Sequence, residues 1–141
     1  IAFSTYMTGE TYEAVRKNTI LSKTLEPDAW SEEAFMSGVQ YSKTNKNILS
    51  QLFHVRTQIL FHQLSTDEST SFISGLLIGH ELKSALQNSH GLKIYLIGDM
   101  ALTKIYGDAI SEFGGTVIQV DTDIVTAGYY ALLKQIAEHV E

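Results

Sequence analysis

The chain has 141 residues, 44% of them hydrophobic and 18% charged, which is enough for one ordinary hydrophobic core and leaves no low-complexity or disordered-type segment. A formal net charge of −6, with no run of Lys or Arg longer than a pair, speaks against nucleic acid and against an anionic membrane surface as partners. Zero cysteines exclude a disulfide scaffold, thiol catalysis and thiolate zinc sites, and with no signal-type or membrane-spanning run a soluble cytoplasmic protein is expected.

In chain order, the β-branched and aromatic run Ile1 to Met7 predicts a strand, after which Thr8-Gly9-Glu10 breaks it and opens a helix from about Glu10 to Leu21, with Thr8 as its N-cap. Starting on a strand-like run without Met, the chain reads as a piece cut from a larger protein. Pro27 lies in the polar connection Lys23 to Asp28. Ser31 followed by Glu32-Glu33 starts a short helix reaching Gln40, since carboxylates suit the positive end of a helix. From Asn47 to about Gln63 the residues Ile48, Leu52, Val55, Ile59 and Leu60 keep helical spacing and predict a core-facing stripe, with Phe53 beside it.

Ser65-Thr66-Asp67-Glu68 has the order of a capping box, and the helix it opens, to about Asn88, is long enough to be central. Within it Gly75 and Gly79 stand one turn apart and bare one face, which favours close helix packing over ligand contact. His80 and Glu81 are adjacent, so their side chains point about 100° apart, and they read as structural rather than as an acid-base pair. His54 and His62 are eight residues apart rather than the four that would place two imidazoles about one metal, so no metal site is legible.

Two strand-helix units complete the chain: strand 92 to 97, helix about 99 to 113, a Gly114-Gly115 stop, strand 116 to 120 and helix about 122 to 139. The nearly continuous apolar run Leu92 to Ile97 predicts a strand covered on both faces, in a sheet buried between helices. Asp121 and Asp123 suit helix capping better than a cation site. The Ile97-Gly98-Asp99 junction sits where nucleotide-handling α/β folds bind their ligand. Gly98 permits a positive φ and a close backbone approach, and a helix N-terminus follows; an ordinary tight turn has the same appearance. Thr103 and Tyr106, one turn apart on the next helix, are placed to meet a ribose or base, and Tyr106 suits a core position equally. Gly-x-Ser-x-Gly, P-loop, His-Glu-x-x-His and Gly-x-Gly-x-x-Gly patterns are absent. Local chemistry therefore stops at an α/β domain, half of a nucleotide-binding fold.

Four stretches carry a resemblance: Tyr6-Met7-Thr8-Gly9-Glu10, Gln51 to Arg56, Phe72 to Leu82, and Gly98 to Tyr106 with its Leu102-Thr103. In order and spacing they resemble the C-terminal part of the 2-dehydro-3-deoxygalactonokinases, over essentially the whole chain. The resemblance implies phosphorylation of 2-dehydro-3-deoxy-D-galactonate on its 6-hydroxyl, with ATP and magnesium as cofactors of the full-length enzyme, in galactonate breakdown. It implies an α/β fold of the actin/hexokinase-like (ribonuclease H-like) kind, with 1–141 a single domain: the C-terminal half-domain of a two-domain kinase, its sheet small, mixed or parallel and flanked by helices. By the same resemblance Gly98, Asp99, Leu102 and Thr103 fall on the adenosine side of ATP, and Thr8, Gly9 and Glu10 lie near the cleft. Ala127-Gly128 matches a hinge helix. The family's Asp-x-Gly phosphate hairpin, its Gly-Thr phosphate turn and most of its sugar-acid pocket fall upstream of Ile1, so the isolated chain is expected to be inactive and to carry no catalytic residue. The alternative is a free-standing binding or dimerisation domain on the same scaffold, pairing as a homodimer by strand addition.

Overall fold

The computed structural model describes residues 3–26, 30–44, 46–87, 91, 93–120 and 123–138. They fall into two units, residues 1–90 and 91–141. Ile1, Ala2, Pro27, Asp28, Asn88, Leu92 and Asp121, all named above, lie outside the described residues.

The first unit is helical: α1 (Thr8–Asn18), a 3-10 turn (Ile20–Lys23), α2 (Glu32–Ser42), α3 (Ile48–Leu60) and α4 (Thr66–Ala85). Three helix starts are written in the local sequence. Ser31 accepts from the Ala34 amide at 3.1 Å, Asn47 accepts from the Leu49 amide at 2.8 Å, and Ser65 and Glu68 form the reciprocal capping box. Eleven of the twenty residues of α4 are buried, which makes it the central helix around which the others pack. Val15, Leu21, Ala34, Val55, Ile59, Phe72, Leu76 and Leu77 form the core between them.

The α2–α4 contact is made backbone to backbone. A Cβ built on Gly38 would lie 2.1 Å from the carbonyl oxygen of Phe72, and one on Gly79 would lie 2.1 Å from the hydroxyl of Ser42. Only hydrogen fits at these positions, which is why the glycines of α4 serve packing as expected. The Ser31 amide donates to the Ser71 hydroxyl at 3.0 Å and ties the start of α2 to α4.

The second unit holds β1 (Lys93–Leu96), α5 (Met100–Glu112), β2 (Thr116–Gln119) and α6 (Asp123–Glu138). The strands pair in parallel, Lys93 opposite Thr116 and Leu96 opposite Gln119, with α5 as the crossover. Gly114 ends α5 with φ +77°, a left-handed conformation that favours glycine, and the Gly115 amide returns to the Ile110 carbonyl at 3.0 Å.

Several expectations are corrected. Phe3 to Met7 form no strand and are exposed, because a strand exists only by pairing and among the described residues the sheet is β1 and β2 alone. Thr8 is not an N-cap: it is the first residue of α1, Met7 holds the cap position, and no side chain caps that end. β1 is not covered on both faces, since its side chains alternate exposed and half-buried and Tyr95 is 61% exposed. Leu60, assigned to the core stripe of α3, faces outward. Fully buried Gln51 takes a place on that helix's inner side.

Candidate functional site

Where β1 ends, Leu96 and Ile97 lead into Gly98, and Asp99 caps α5. The Asp99 carboxylate accepts from the amides of Ala101 at 2.9 Å and Leu102 at 3.2 Å, and its carbonyl accepts from the Thr103 amide at 2.8 Å. A half-open cavity of about 250 Å³ lies over this turn, lined by Leu96, Ile97, Gly98, Leu102, Thr103 and Tyr106. Three of the four residues expected on the adenosine side, Gly98, Leu102 and Thr103, are thus brought together with Tyr106. Asp99 stands beside them, committed to its helix.

The φ of Gly98 is +159°, a conformation that side-chain-bearing residues rarely adopt, so the positive φ foreseen for it is present and glycine is favoured there. A Cβ added there would meet only the Thr103 methyl, at 3.6 Å, an ordinary contact. Conformation, not internal packing, favours glycine at this point, and its bareness leaves open backbone at the floor of the cavity. The Thr103 hydroxyl donates to the Met100 carbonyl at 3.1 Å and keeps its lone pairs for an incoming donor. The walls are aliphatic and aromatic, with no Lys or Arg among them. Because Asp99 already neutralises the positive end of α5, the junction offers a slot for an uncharged ring and no anion cradle.

Thr8, Gly9 and Glu10 belong to the first unit, in the opening turn of α1. Thr8 is half-buried, whereas Gly9 and Glu10 are exposed and an added Cβ on Gly9 would touch nothing. Ala127 and Gly128 lie on exposed positions of α6. Among the described residues no three His, Asp or Glu side chains gather as a metal site, and no helix is long and apolar enough to cross a membrane.

One pair escaped the sequence reading. The Nε2 of His80 on α4 meets the amide oxygen of Gln51 on α3. His80 is held below the ordinary imidazole range, first by desolvation and then by the charge of Lys83. The partners stand 29 residues apart, so no spacing rule links them.

The model of the 2-keto-3-deoxy-galactonokinase family matches residues 1–132. The chain is 32% identical over 139 residues to the 2-dehydro-3-deoxygalactonokinase of Escherichia coli K12, an alignment spanning 98% of this chain and 47% of that one. It is 34% identical to a Rhizobium meliloti strain 1021 protein assigned the same activity, over 95% of this chain and 46% of that protein. A Sinorhizobium meliloti crystal structure under the same assignment superposes with a TM-score of 0.81 at 33% identity, covering 96% of this chain and 45% of that one. The chain therefore spans about half the length of the curated relatives it matches. With a family model that covers nearly all of its residues and whose members share its fold, the chain belongs to the 2-keto-3-deoxy-galactonokinase family.

Proposed function

We propose that this chain forms part of an ATP-dependent sugar-acid kinase that phosphorylates 2-dehydro-3-deoxy-D-galactonate on its 6-hydroxyl. Its scaffold is read as the C-terminal half-domain of the actin/hexokinase-like (ribonuclease H-like) arrangement, and its share of the work as holding the nucleoside end of ATP. The observation that carries this is the cavity at the β1–α5 junction: bare glycine backbone at its floor, aliphatic walls, an aromatic side chain and a hydroxyl. These groups fit a flat, weakly polar ring with a few hydrogen-bonding atoms.

They do not fit the other end of the nucleotide. Bound ATP and magnesium supply the transferable phosphoryl group and the charge that steadies it, and such transfer depends on cations aimed at the γ-phosphate. The cavity lining has none, so this chain's residues orient the nucleoside while other groups act on the phosphates. Alone, the chain is read as catalytically silent.

Calorimetric titration tests this. Weak binding of ATP-magnesium, retained by adenosine and lost in Leu102→Glu, is the expected result; equal affinity in the Leu102→Glu variant would remove the assignment.

A second reading, a non-catalytic binding or dimerisation domain on the same scaffold, draws on α6, where Tyr129, Leu132, Leu133 and Ile136 are exposed at helical spacing. It predicts a homodimer by sedimentation equilibrium, dissociated by Leu132→Lys, and no nucleotide binding.

A further inference from the structure

Buried Gln51 settles the chemistry of a second cavity. Its amide nitrogen donates to the Tyr41 carbonyl and to the Thr44 hydroxyl, each at 2.8 Å, so both of its N–H bonds are used. The atom facing His80 is consequently the amide oxygen, which only accepts. His80 must therefore carry its proton on Nε2, and in the neutral ring Nδ1 is left as an acceptor with no partner among the described residues. The lowered basicity of the ring, caused by burial, keeps it in that neutral form.

His80 lines a cavity of about 230 Å³ bounded by the segment entering α1, the first turns of α1, the start of α3 and the middle of α4. Ile48 and Leu77 supply apolar surface there, and Thr8 and Thr11 bring hydroxyls that make no hydrogen bond among the described residues. Glu81 completes the lining with a carboxylate. Pockets enclosing drug-sized ligands run from roughly 300 to 1,000 Å³, so this one suits something smaller than a nucleotide.

We propose that this cavity is a binding site for a small, uncharged, hydroxylated ligand of monosaccharide size, which donates a hydroxyl to Nδ1 of His80 and hydrogen-bonds with Thr8 and Thr11. Two hydroxyls and one acceptor without partners among the described residues, on an apolar floor, match a polyol, which carries donors and acceptors together on a carbon frame. The Glu81 carboxylate disfavours an anion in the same space. Gln51 acts as a positioning residue: it touches no ligand and fixes which ring nitrogen is presented. The site belongs to the first unit and is independent of the nucleotide reading.

The test is nitrogen-15 NMR of the histidine rings of the full chain, titrated with D-galactose as the neutral probe and D-galactonate as its anionic counterpart. Galactose is expected to move the Nδ1 resonance of His80 and to leave Nε2 nearly in place, with galactonate binding more weakly. His80→Phe and, separately, Thr11→Val should each weaken galactose by about fivefold, the worth of one neutral hydrogen bond. Thr11→Val leaves the Gln51 network intact and serves even if His80→Phe fails to fold. A His80 ring that does not respond to galactose, an unchanged affinity in Thr11→Val, or tighter binding of galactonate overturns the proposal.

Discussion

Gly75 on α4 faces Phe35 on α2 so closely that a Cβ built on the glycine would lie 1.9 Å from the Phe35 carbonyl oxygen. The obstacle is backbone, which cannot rotate away as a side chain would, so the two helices must part to admit a methyl group. Gly75→Ala is expected to destabilise the first unit by about 3 kcal/mol, lowering its melting temperature by roughly 15 °C. Thermal unfolding followed by circular dichroism measures this. Gly9→Ala, where an added Cβ touches nothing, is the matched control and should not destabilise.

Asp99 spends its carboxylate on two amides of α5. Asp99→Ala should cost the second unit about 1 kcal/mol, and Asp99→Ser, which keeps a capping oxygen, should recover most of it. If the residue's task is the cap and not the ligand, the serine variant binds nucleotide as the parent does. A loss of binding in Asp99→Ser with unchanged urea stability would instead assign the carboxylate to the ligand.

Leu102→Glu separates binding from folding. Leu102 is 51% exposed in the first turn of α5, where a carboxylate suits the positive end of the helix. The substitution is expected to leave the urea midpoint within the variation typical of surface changes, about 0.5 kcal/mol, while placing a charge on the wall of the cavity. Nucleotide affinity should fall about tenfold, the equivalent of 1.4 kcal/mol of lost contact.

His80 makes stability depend on pH in one direction. Its protonated form is penalised in the folded chain by burial and by Lys83, so its folded pKa lies below the ordinary imidazole value of 6.5. The unfolded chain then binds the proton more readily. This penalty is absent well above pH 6.5, grows as the pH falls below it and levels off below the folded pKa. NMR titration of the ring should give a midpoint under 6.5, and His80→Phe should flatten the melting temperature between pH 7 and 5.

Helix starts were legible because a cap is a contract between residues two or three apart. Ser31 and the Ser65–Glu68 box announce α2 and α4 without reference to the rest of the molecule, whereas the Asn47 cap of α3 was not singled out. The bareness of Gly75 and Gly79 likewise predicted a close neighbour, although nothing local named it as Phe35 and Ser42. The β1–α5 turn was placed correctly from its apolar run and glycine, and four of the residues singled out there, Gly98, Leu102, Thr103 and Tyr106, do line one cavity.

What depended on distant partners could not be read. The β propensity of Phe3 to Met7 counts for nothing without an adjacent backbone, and the apolar run of β1 does not bury Tyr95 when only β2 lies beside it. The state of His80 is decided from α3, where Gln51 has already committed its amide protons to Tyr41 and Thr44. By itself the sequence determined the helices, the caps of α2 and α4, the packing glycines and the family motifs, because these rest on contacts within a turn or two. Only the tertiary structure decided which faces are buried and which ring nitrogen is offered, because burial and hydrogen-bond saturation are properties of groups brought together from remote parts of the chain.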